Sequence, residues 1–590
     1  MNLHIIDLII IAIYMLAMIL LGLVIRKQAT KHPEAYYLGD RNIPWWMLGL
    51  SGCSSYIDIG GTMALVGAMF YLGLKSIWMT HIFWGWLIIC FYMAFQGKYI
   101  RRSGVMTFAE WNETRFGATK DAELARIFAA SFLLILMICN LMFMAVGTGK
   151  FAEEFLPFGK IESTAIVFAV VGIYVTLGGF FGVILTDIFQ TLLIFIGAIV
   201  LTVMAFNLGG NSFILTKNPE WYSLAPSWQL WNGYMKEAAP AYQHFNMFGP
   251  VMLAGFSWLI FRVLAGPNVW DFQFFLTTKS PRDASLAAGM WTVGYTLRWI
   301  IACAFLALGI YYFGEQAAVN PQSFDAEKIM PFVLKKLPVG MQGLFMAVLL
   351  AALMSTLSAM INVTSSVATN DFLKRYFATK LTPKQVVRYG QYASVLAIVI
   401  GFVMSLLFTD IITAWETMIF VVVTMILVPS TFRWHWWRFS AKAFVWGMVA
   451  STVIIALQKI FFADWSAALT LAVDIIGSFI ATLIIGFLFE PTDMEVLVKF
   501  YSKVRPLGFW KPVRLEAEKR GLVPIGDKMP AIDGLNGILT IFFQVSLALI
   551  PFYLILQFWG NMMMWIGVFL VLGVVLYFTW YKNLPAKDEV

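Results

Sequence analysis

Apolar runs of about 20 residues recur along the whole chain, and each is long enough to cross the hydrocarbon core of a bilayer as an α-helix. Of the 590 residues, 60% are hydrophobic and only 13% are charged. Soluble domains carry about 25% charged residues, so this composition disfavours a globular domain. The sequence therefore predicts an all-α polytopic protein of the cell membrane, in contact with lipid on its outer faces.

Window hydrophobicity predicts about fifteen transmembrane spans. The first run is too long for a signal peptide and lacks a small-residue cleavage site, so it is predicted as a span. The spans are expected near residues 5–24, 45–74, 77–98, 124–148, 161–179, 183–207, 249–275, 287–313, 341–370, 386–408, 411–431, 443–461, 467–489, 535–557 and 561–581.

Lysine and arginine collect in alternate loops between these spans. One side of the membrane receives Arg26, Lys27, Arg101, Arg102 and the basic region 499–528, whereas the other side receives scattered lysines. Because basic residues concentrate in cytoplasmic loops, the N-terminus is expected outside the cell and the C-terminus inside. The net charge of +8 is explained by this orientation and does not predict nucleic-acid binding.

One apolar segment contains small and polar residues at mid-bilayer depth. The stretch Leu50–Gly61 reads Leu-Ser-Gly-Cys-Ser-Ser-Tyr-Ile-Asp-Ile-Gly-Gly. Glycine lowers helix propensity, and serine and aspartate compete for backbone hydrogen bonds. Irregular backbone survives at this depth only where it is buried in protein or lines a watery cavity. The stretch therefore predicts a broken helix whose freed carbonyls can hold a cation.

A second break is predicted inside the span near 249–275, at Ala265-Gly266-Pro267-Asn268. Proline removes a backbone donor and disfavours helix in the residue before it. This break falls five spans after the first one. Interrupted helices at matching places in two halves indicate an inverted-repeat transporter with a site near the membrane midplane.

These features divide the chain into five predicted regions. They are a first span with a cytoplasmic loop (1–44), a first inverted-repeat half (45–210), an extracellular loop (211–248), a second inverted-repeat half (249–431) and C-terminal peripheral helices with a cytoplasmic loop at 490–534 (432–590). A short amphipathic helix is expected near Met494 to Val504. The four cysteines have neither metal-ligand spacing nor a disulfide framework, and no cofactor is expected.

Hydroxyl and amide side chains lie together in the span near 341–370. Ser355, Ser358 and Asn362 follow the i, i+3, i+7 spacing of one helix face, with Thr356 beside them. Na⁺ is a hard cation that prefers oxygen ligands, and hydroxyls with the carbonyls of an opened helix can supply them. The alternative is structural, because serine and threonine also bond their own backbone or join neighbouring helices.

Several ionisable residues fall inside predicted spans, where charge is costly and indicates a functional candidate. Asp187 either takes part in a site or stabilises a helix start through the helix dipole. Four more charges either pair among themselves or bind a charged or zwitterionic solute, namely Asp58, Arg262, Arg298 and Glu416. His81 is interpreted as a core histidine.

Three motifs occur in an order that matches one transporter family. They are Tyr-Leu-Gly-Asp-Arg at 37–41, Gly-Ile-Tyr-Val-Thr-Leu-Gly-Gly at 172–179 followed by Leu-Thr-Asp-Ile-Phe-Gln at 185–190, and the stretch from Ala351 to Asn362 that leads to Asn370-Asp371. Together they resemble the sodium/solute symporter family over roughly residues 5–460. The resemblance implies the LeuT-type five-plus-five inverted repeat, with extra flanking helices.

The same resemblance implies positions for ions and solute. The principal sodium site is expected on the backbone of Ser54 and Ile57 together with Ala352, Ser355 and Thr356. A second sodium site, present in some members, is expected on Asp187, Ser355 and Ser358, although this chain has Ala359 where a further hydroxyl often stands. Solute contacts are expected at Asp58, Thr80, Arg262, Arg298 and Thr417.

The expected function is sodium-coupled symport of a small polar organic solute, with a sugar or polyol favoured and a carboxylate or amino acid as alternatives. Na⁺ is the expected coupling ion. Two alternatives remain open: a proton-coupled transporter of the same fold, with Asp58 or Asp187 as the proton carrier, and a symporter-like membrane sensor. An enzyme is not expected, because the sequence has no His-rich metal cluster, nucleophile elbow or phosphate loop in a suitable context.

Overall fold

The computed structural model describes residues 3–153, 158–208, 219–230, 240–266, 269–319, 324–408, 411–418, 424–462 and 464–586. In these ranges the backbone is helical apart from turns, loops and two isolated bridges. Twelve helices of the described chain are long and apolar enough to cross a membrane, as judged by length and composition. The prediction of an all-α polytopic membrane protein is confirmed. The count of about fifteen spans and the five-region division stay predictions.

The first half of the chain contains an interrupted helix between longer continuous ones. Its main helices are α1 (Ile5–Ala29), α2 (Trp45–Ser54), α3 (Ile59–Leu72), α4 (Lys120–Ala152) and α5 (Lys160–Asn207). Shorter helical pieces lie between them. Five are α-helical: Pro33–Leu38, Ser76–Trp78, Ile88–Phe91, Gly97–Ser103 and Trp111–Phe116. Two are π-helical: Met79–Phe83 and Tyr92–Gln96.

The long helix α5 turns sharply at one glycine. Gly179 has a φ of 51° and a ψ of −158°, which lie outside the helical region. A Cβ at this position would come within 2.7 Å of the Tyr36 carbonyl oxygen, so both the backbone angles and the space require glycine. The two spans expected near 161–179 and 183–207 therefore meet at this bend.

The second half repeats the interrupted arrangement. Its main helices are α6 (Phe248–Leu264), α7 (Val269–Leu276), α8 (Pro281–Gly294), α9 (Thr296–Val319), α10 (Met341–Ser366), α11 (Pro383–Ser405) and α12 (Thr424–His435). The predicted break falls between α6 and α7, and its Pro267 and Asn268 lie outside the described residues. Shorter pieces are Ile329–Leu334, the π-helical Val367–Phe377 that continues α10, and Ile411–Glu416.

The remaining helices flank this unit. They are α13 (Ala441–Phe461), α14 (Ala467–Leu488), α15 (Met494–Val504), the short Lys511–Lys519, α16 (Met529–Ile555) and α17 (Trp559–Thr579). The expected amphipathic helix is α15, which buries Leu497 and Phe500 and exposes Glu495. A buried ion pair, with Lys98 Nζ 2.6 Å from Asp533 Oδ1, joins α16 to the core.

Two helices form the centre of the molecule. The apolar windows of Ile59–Phe83 and Met341–Phe377 are 94% buried, whereas that of Trp559–Asn583 is only 6% buried. The buried windows belong to α3 and α10, and these two segments contain Thr80, Ser355, Thr356 and Ser358, which the sequence singles out. Polar groups in the most enclosed part of a membrane protein need partners or ligands, so the functional site is expected here.

Candidate functional site

The first interrupted helix breaks where the sequence predicts. α2 ends at Ser54 and α3 begins at Ile59. Asp58 caps α3, because its extended backbone turns its carboxylate onto the N–H of Gly61. The four residues between the helices leave main-chain carbonyls without their usual helical donors.

Side chains from other helices bond the carbonyls of this break. The Thr356 hydroxyl of α10 donates to the Ser55 carbonyl at 2.9 Å. The Arg298 guanidinium of α9 donates from Nη1 to the Tyr56 carbonyl at 2.6 Å. Two distant helices therefore meet at one irregular segment.

The residues predicted for the principal sodium site lie together. Ser54 Oγ and Ser355 Oγ are 2.7 Å apart, and Thr356 Oγ1 is 3.2 Å from the Ala352 carbonyl oxygen that accepts from it. The Ile57 N–H donates to the Ser54 carbonyl at 2.9 Å. All five residues are buried. Their side-chain and main-chain oxygens form a donor set suited to a small, hard monovalent cation.

Asp187 of α5 lies beside this oxygen cluster. Its Oδ2 accepts a hydrogen bond from the Ser51 hydroxyl of α2, and Ser355 interacts with the same carboxylate. Asp187 Oδ1 is buried and has no hydrogen-bond partner among the described residues. A buried carboxylate oxygen without a partner is costly, and a cation at this point would offset the cost.

Two serines near Asp187 bear on the second sodium site that the sequence predicts. Ser358, predicted for a second sodium site, donates its hydroxyl to the Ser355 carbonyl of its own helix at 2.8 Å. Ser51 was not predicted, although it bonds Asp187 directly. The available signal was the i, i+3 spacing of Ser51 and Ser54, which places both hydroxyls on one face of α2.

A cavity of about 100 Å³ lies against the other side of the break. Ser55, Tyr56, Asp58 and Thr356 form one wall, and thus the cavity shares the break and Thr356 with the oxygen cluster. Three tryptophans line another part of the wall: the ring centre of Trp84 lies 5.3 Å from that of Trp415 and 5.4 Å from that of Trp86, with both pairs of rings tilted. Such a lining suits a solute that has both polar groups and an apolar face.

Asp58 and Arg298 pair with each other and also face the cavity. Arg298 Nη2 is 3.4 Å from Asp58 Oδ2, and the guanidinium carbon stands 4.2 Å from the centre of the Trp86 ring. Both charged residues line the cavity. The two alternatives left open by the sequence, pairing and solute contact, are therefore compatible at this pair.

A second group of polar side chains surrounds Arg262 and an aspartate that sequence reasoning missed. Arg262 lines the cavity and has its guanidinium carbon 5.9 Å from the centre of the Trp258 ring. Asp271 of α7 is fully buried and accepts at 2.6 Å from both Tyr56 and Tyr92 through Oδ2. These bonds connect the segment after the second break to the residue in the middle of the first.

Other predicted residues lie apart from the cavity wall. Thr80 is buried but donates to the Ser76 and Ile77 carbonyls of its own helix at 2.9 and 3.1 Å. Thr417 is exposed, whereas its neighbours Trp415 and Met418 line the cavity. The Glu416 side chain lies outside the described part of the structure.

His81 has the environment of a core histidine. Its Nδ1 is 2.9 Å from the Ile77 carbonyl oxygen, and its ring stacks on Trp299 at 5.5 Å. It does not line the described cavity.

Clusters of ion pairs stand near opposite ends of α4, with the cavity between them. Near the start, Arg126 bonds Glu113 at 2.7 Å and Asp371 at 2.8 Å. Near the end, Lys150 bonds Glu327 at 2.6 Å and Asp325 at 3.0 Å. Arg126 and Lys150 are 24 positions apart, which corresponds to about 36 Å of helix. Asn140, Phe143 and Met144, between these two basic residues, line the cavity.

Sequence comparisons show that this chain is similar to known transporters. The model of the Sodium:solute symporter family matches residues 36–451. A "Sodium/glucose cotransporter" of Vibrio parahaemolyticus is 26% identical over 433 residues, which cover 68% of this chain and 74% of that protein. The "Sodium/sialic acid symporter SiaT" of Proteus mirabilis is 24% identical over 391 residues, which cover 65% of this chain and 74% of that protein.

A structural comparison gives a consistent result. A solved structure of a Na⁺-coupled sialic acid symporter, in a substrate-bound outward-open state, superposes with a TM-score of 0.67 at 19% identity. The match covers 83% of this chain and 99% of that one. Together with the two interrupted helices, it confirms the LeuT-type architecture that the sequence predicts.

Proposed function

Since the chain belongs to the sodium:solute symporter family, and is a transporter rather than an enzyme, we propose that it couples the downhill entry of Na⁺ to the import of a small polar organic solute. The observation that carries the proposal is the oxygen cluster at the break, where Ser54 and Ser355 meet at 2.7 Å beside the cavity. We assign the principal Na⁺ to this cluster, with Ile57, Ala352 and Thr356 completing the donor set.

Na⁺ binding and solute binding are coupled because both ligands contact the same segment, residues 55–58. Thr356 holds the Ser55 carbonyl at 2.9 Å on the cation side, and both residues also line the cavity. A cation bound to Thr356 and Ser54 would hold residues 55–58 in one conformation. The solute contacts the same residues from the cavity, so each ligand stabilises the conformation that the other binds, and their affinities are linked reciprocally.

The sodium gradient is large enough for concentrative import. A tenfold gradient supplies about 1.4 kcal/mol per ion, and a membrane potential of ~100 mV adds about 2.3 kcal/mol per charge. One Na⁺ can therefore sustain an accumulation of roughly several hundredfold for a neutral solute, because each 1.4 kcal/mol is a factor of ten.

A sugar or polyol is the first candidate for the solute. The cavity combines tryptophan faces with the Asp58–Arg298 pair, which offers acceptors and donors to hydroxyl groups. The relatives named above are a glucose and a sialic acid transporter, both of which carry polyhydroxylated solutes. A solute with a carboxylate is the second candidate, because two arginines but one aspartate line the cavity.

Alternating access would use the two ion clusters on α4. With the N-terminus outside, the Lys150 cluster lies toward the outside and the Arg126 cluster toward the cytoplasm. In this mechanism each cluster opens in turn while the other stays closed, and the site between them is exposed to one side at a time. Residues near the Arg126 cluster, including Glu110 and Lys374, line a second cavity of about 380 Å³.

Uptake into liposomes that contain the purified protein tests the proposal. A thermal-shift screen of sugars, polyols, amino acids and carboxylates first identifies the solute, as the compound that stabilises the protein more in Na⁺ than in K⁺. Uptake of that solute is then expected to require an inward Na⁺ gradient. Identical uptake in Na⁺ and K⁺ would show that sodium coupling is wrong, and a pH-dependent current without Na⁺ would favour the proton-coupled alternative.

We further propose that Asp187 holds a second Na⁺ with Ser51, Ser355 and Ser358. Asp187→Asn is then expected to lower the number of Na⁺ ions transported per solute from two to one, as measured from the reversal potential at several gradients. Asp7→Asn is the matched control, because Asp7 is equally buried but bonds the N–H groups of Gly340 and Gly343 away from the cavity. An unchanged ratio in Asp187→Asn would assign Asp187 a structural role.

A further inference from the structure

A row of polar residues lies where α13 packs against α14, away from the cavity and the oxygen cluster at the interrupted helices. We call this row the seam. Thr470, Asp474, Ser478 and Thr482 are spaced by four residues, so they share one face of α14. All four are buried, although this helix is predicted to cross the membrane. None of the residues that line the described cavity at the break belongs to α13 or α14.

Three contacts establish how the two helices face each other. Gln458 Nε2 of α13 donates to Thr470 Oγ1 at 3.1 Å. A Cβ on Gly477 would lie 3.3 Å from Ile454 Cγ2, and a Cβ on Gly447 would lie 3.2 Å from Thr482 Cγ2. The helices are therefore antiparallel.

This register places two further polar groups in the same seam. Between the Gly447–Thr482 and Gln458–Thr470 contacts, Ser451 of α13 lies at the level of Ser478. Asp474 lies one helical turn away from that level, between Ser478 and Thr470.

Apart from Thr470 Oγ1, which accepts from Gln458, the carboxylate and hydroxyl oxygens between the two helices have no hydrogen-bond partner among the described residues. Both carboxylate oxygens of Asp474, which is 1% exposed, are buried and lack a hydrogen bond among the described residues. The hydroxyl oxygens of Ser451, Ser478 and Thr482 are also buried and also lack a hydrogen-bond partner among the described residues. Four neighbouring buried side chains thus leave their oxygens unbonded, which is costly unless something else binds them.

A proline in the neighbouring helix α12 frees one main-chain carbonyl on the face that packs against α13. Pro429 in α12 contacts the same level of the seam, since a Cβ on Gly447 would lie 3.4 Å from its Cγ. Proline has no N–H, so the Met425 carbonyl four residues earlier loses its helical donor. Met425 lies on the Pro429 face of α12, and this face packs against α13.

We propose that Asp474, with the hydroxyls of Ser451 and Ser478, binds a monovalent alkali cation between α13 and α14. The donor set consists of oxygens with one negative charge, which a monovalent ion neutralises. Lys459 of α13 is exposed, and neither carboxylate oxygen of Asp474 has a hydrogen-bond partner in the part of the chain that the structure describes. The site is separate from the proposed transport sites, and its ion would join the peripheral helices rather than cross the membrane.

Thermal unfolding of the purified full-length chain tests the proposal in a background that lacks the transport sites. In Ser355→Ala/Thr356→Ala/Asp187→Asn, the melting temperature is compared in NaCl, KCl and N-methyl-D-glucamine chloride at equal ionic strength. A sodium-dependent or potassium-dependent rise over N-methyl-D-glucamine is expected to remain, and addition of Asp474→Asn is expected to abolish it. Asp464→Asn, an exposed aspartate in the adjoining loop, is expected to leave the rise unchanged.

Ser478→Ala provides a second variant, which keeps the charge if Asp474→Asn does not fold. It is expected to raise the half-saturating cation concentration by about threefold to tenfold, the equivalent of one lost oxygen contact. The proposal is overturned if no cation-dependent rise remains in the background variant, if the rise survives in Asp474→Asn, or if Ser478→Ala leaves the half-saturating cation concentration unchanged. Equal stability in all three salts, with a dependence on pH alone, would mean that Asp474 binds a proton instead.

Discussion

Replacement of Ser355 by alanine is expected to raise the Na⁺ concentration for half-maximal uptake by about tenfold to a hundredfold. The Ser355 hydroxyl meets Ser54 at 2.7 Å and lies beside Asp187, so it is common to both proposed sodium sites. Its removal deletes one oxygen contact to a charged ligand, which is worth about 1.5–3 kcal/mol, and each 1.4 kcal/mol is a factor of ten. The measurement is solute uptake into liposomes over a series of Na⁺ concentrations.

Ser365→Ala is the matched control for this experiment. Ser365 is a buried serine of the same helix, but its hydroxyl donates to the Gly390 carbonyl at 2.7 Å and faces α11. Its loss is expected to leave the sodium dependence unchanged. Thr356→Ser retains the hydroxyl and is expected to transport nearly normally, whereas Thr356→Ala is expected to behave like Ser355→Ala. An unaltered sodium dependence in Ser355→Ala would remove Ser355 from the proposed donor set.

Replacement of Arg298 by alanine is expected to reduce uptake by at least about a hundredfold. Arg298 donates to the Tyr56 carbonyl at 2.6 Å, pairs with Asp58 at 3.4 Å and stands over Trp86. Loss of one partner from a buried ion pair costs about 3–5 kcal/mol, because the other charge is left without compensation. The break would relax into another conformation, and both the solute wall and the cation cluster depend on it. Uptake and melting temperature are measured together.

Variants at Arg298 and its partner distinguish a lost charge from lost geometry. Arg298→Lys keeps the charge but lacks the planar fork that reaches two acceptors, so an intermediate loss is expected. If the pair acts as a unit, the double variant Asp58→Asn/Arg298→Ala is expected to lose less than the sum of the single variants. Arg520→Ala removes an exposed ion pair with Glu495, which solvent screens and which contributes little to stability, and it serves as the control. Uptake by Arg298→Ala equal to that of this control would contradict the assignment.

The local chemistry of the sequence was sufficient to place the first break. Glycine, serine and aspartate inside an apolar run have no use in a continuous helix, and the structure opens the helix between Ser54 and Ile59. The i, i+3 spacing also placed the hydroxyls of α10 on a face that meets this break. These predictions succeeded because they depend on residues within a few helical turns of one another.

Contacts between distant segments could not be predicted in the same way. Ser51 and Asp187 are separated by 136 residues, and no local pattern pairs them. Asp271 and Asp474 sit among apolar neighbours, and only tertiary packing reveals that tyrosines surround the first and hydroxyls surround the second. Thr80 was expected at the cavity, but its hydroxyl bonds its own helix, an alternative that threonine always has.

The two ion clusters on α4 are present at the same time, which bears on whether the transporter leaks Na⁺ when no solute is bound. Lys150 and Arg126 keep their acidic partners in one and the same structure, so the ion pairs near both ends of α4 are closed in this conformation. In the proposed mechanism, a transporter whose ion clusters are closed at both ends would not conduct Na⁺ without solute. Weaker ion pairs would speed the return of the unloaded transporter but would also allow uncoupled Na⁺ leak. The strength of these few ion pairs would therefore set a compromise between the turnover rate and the leak.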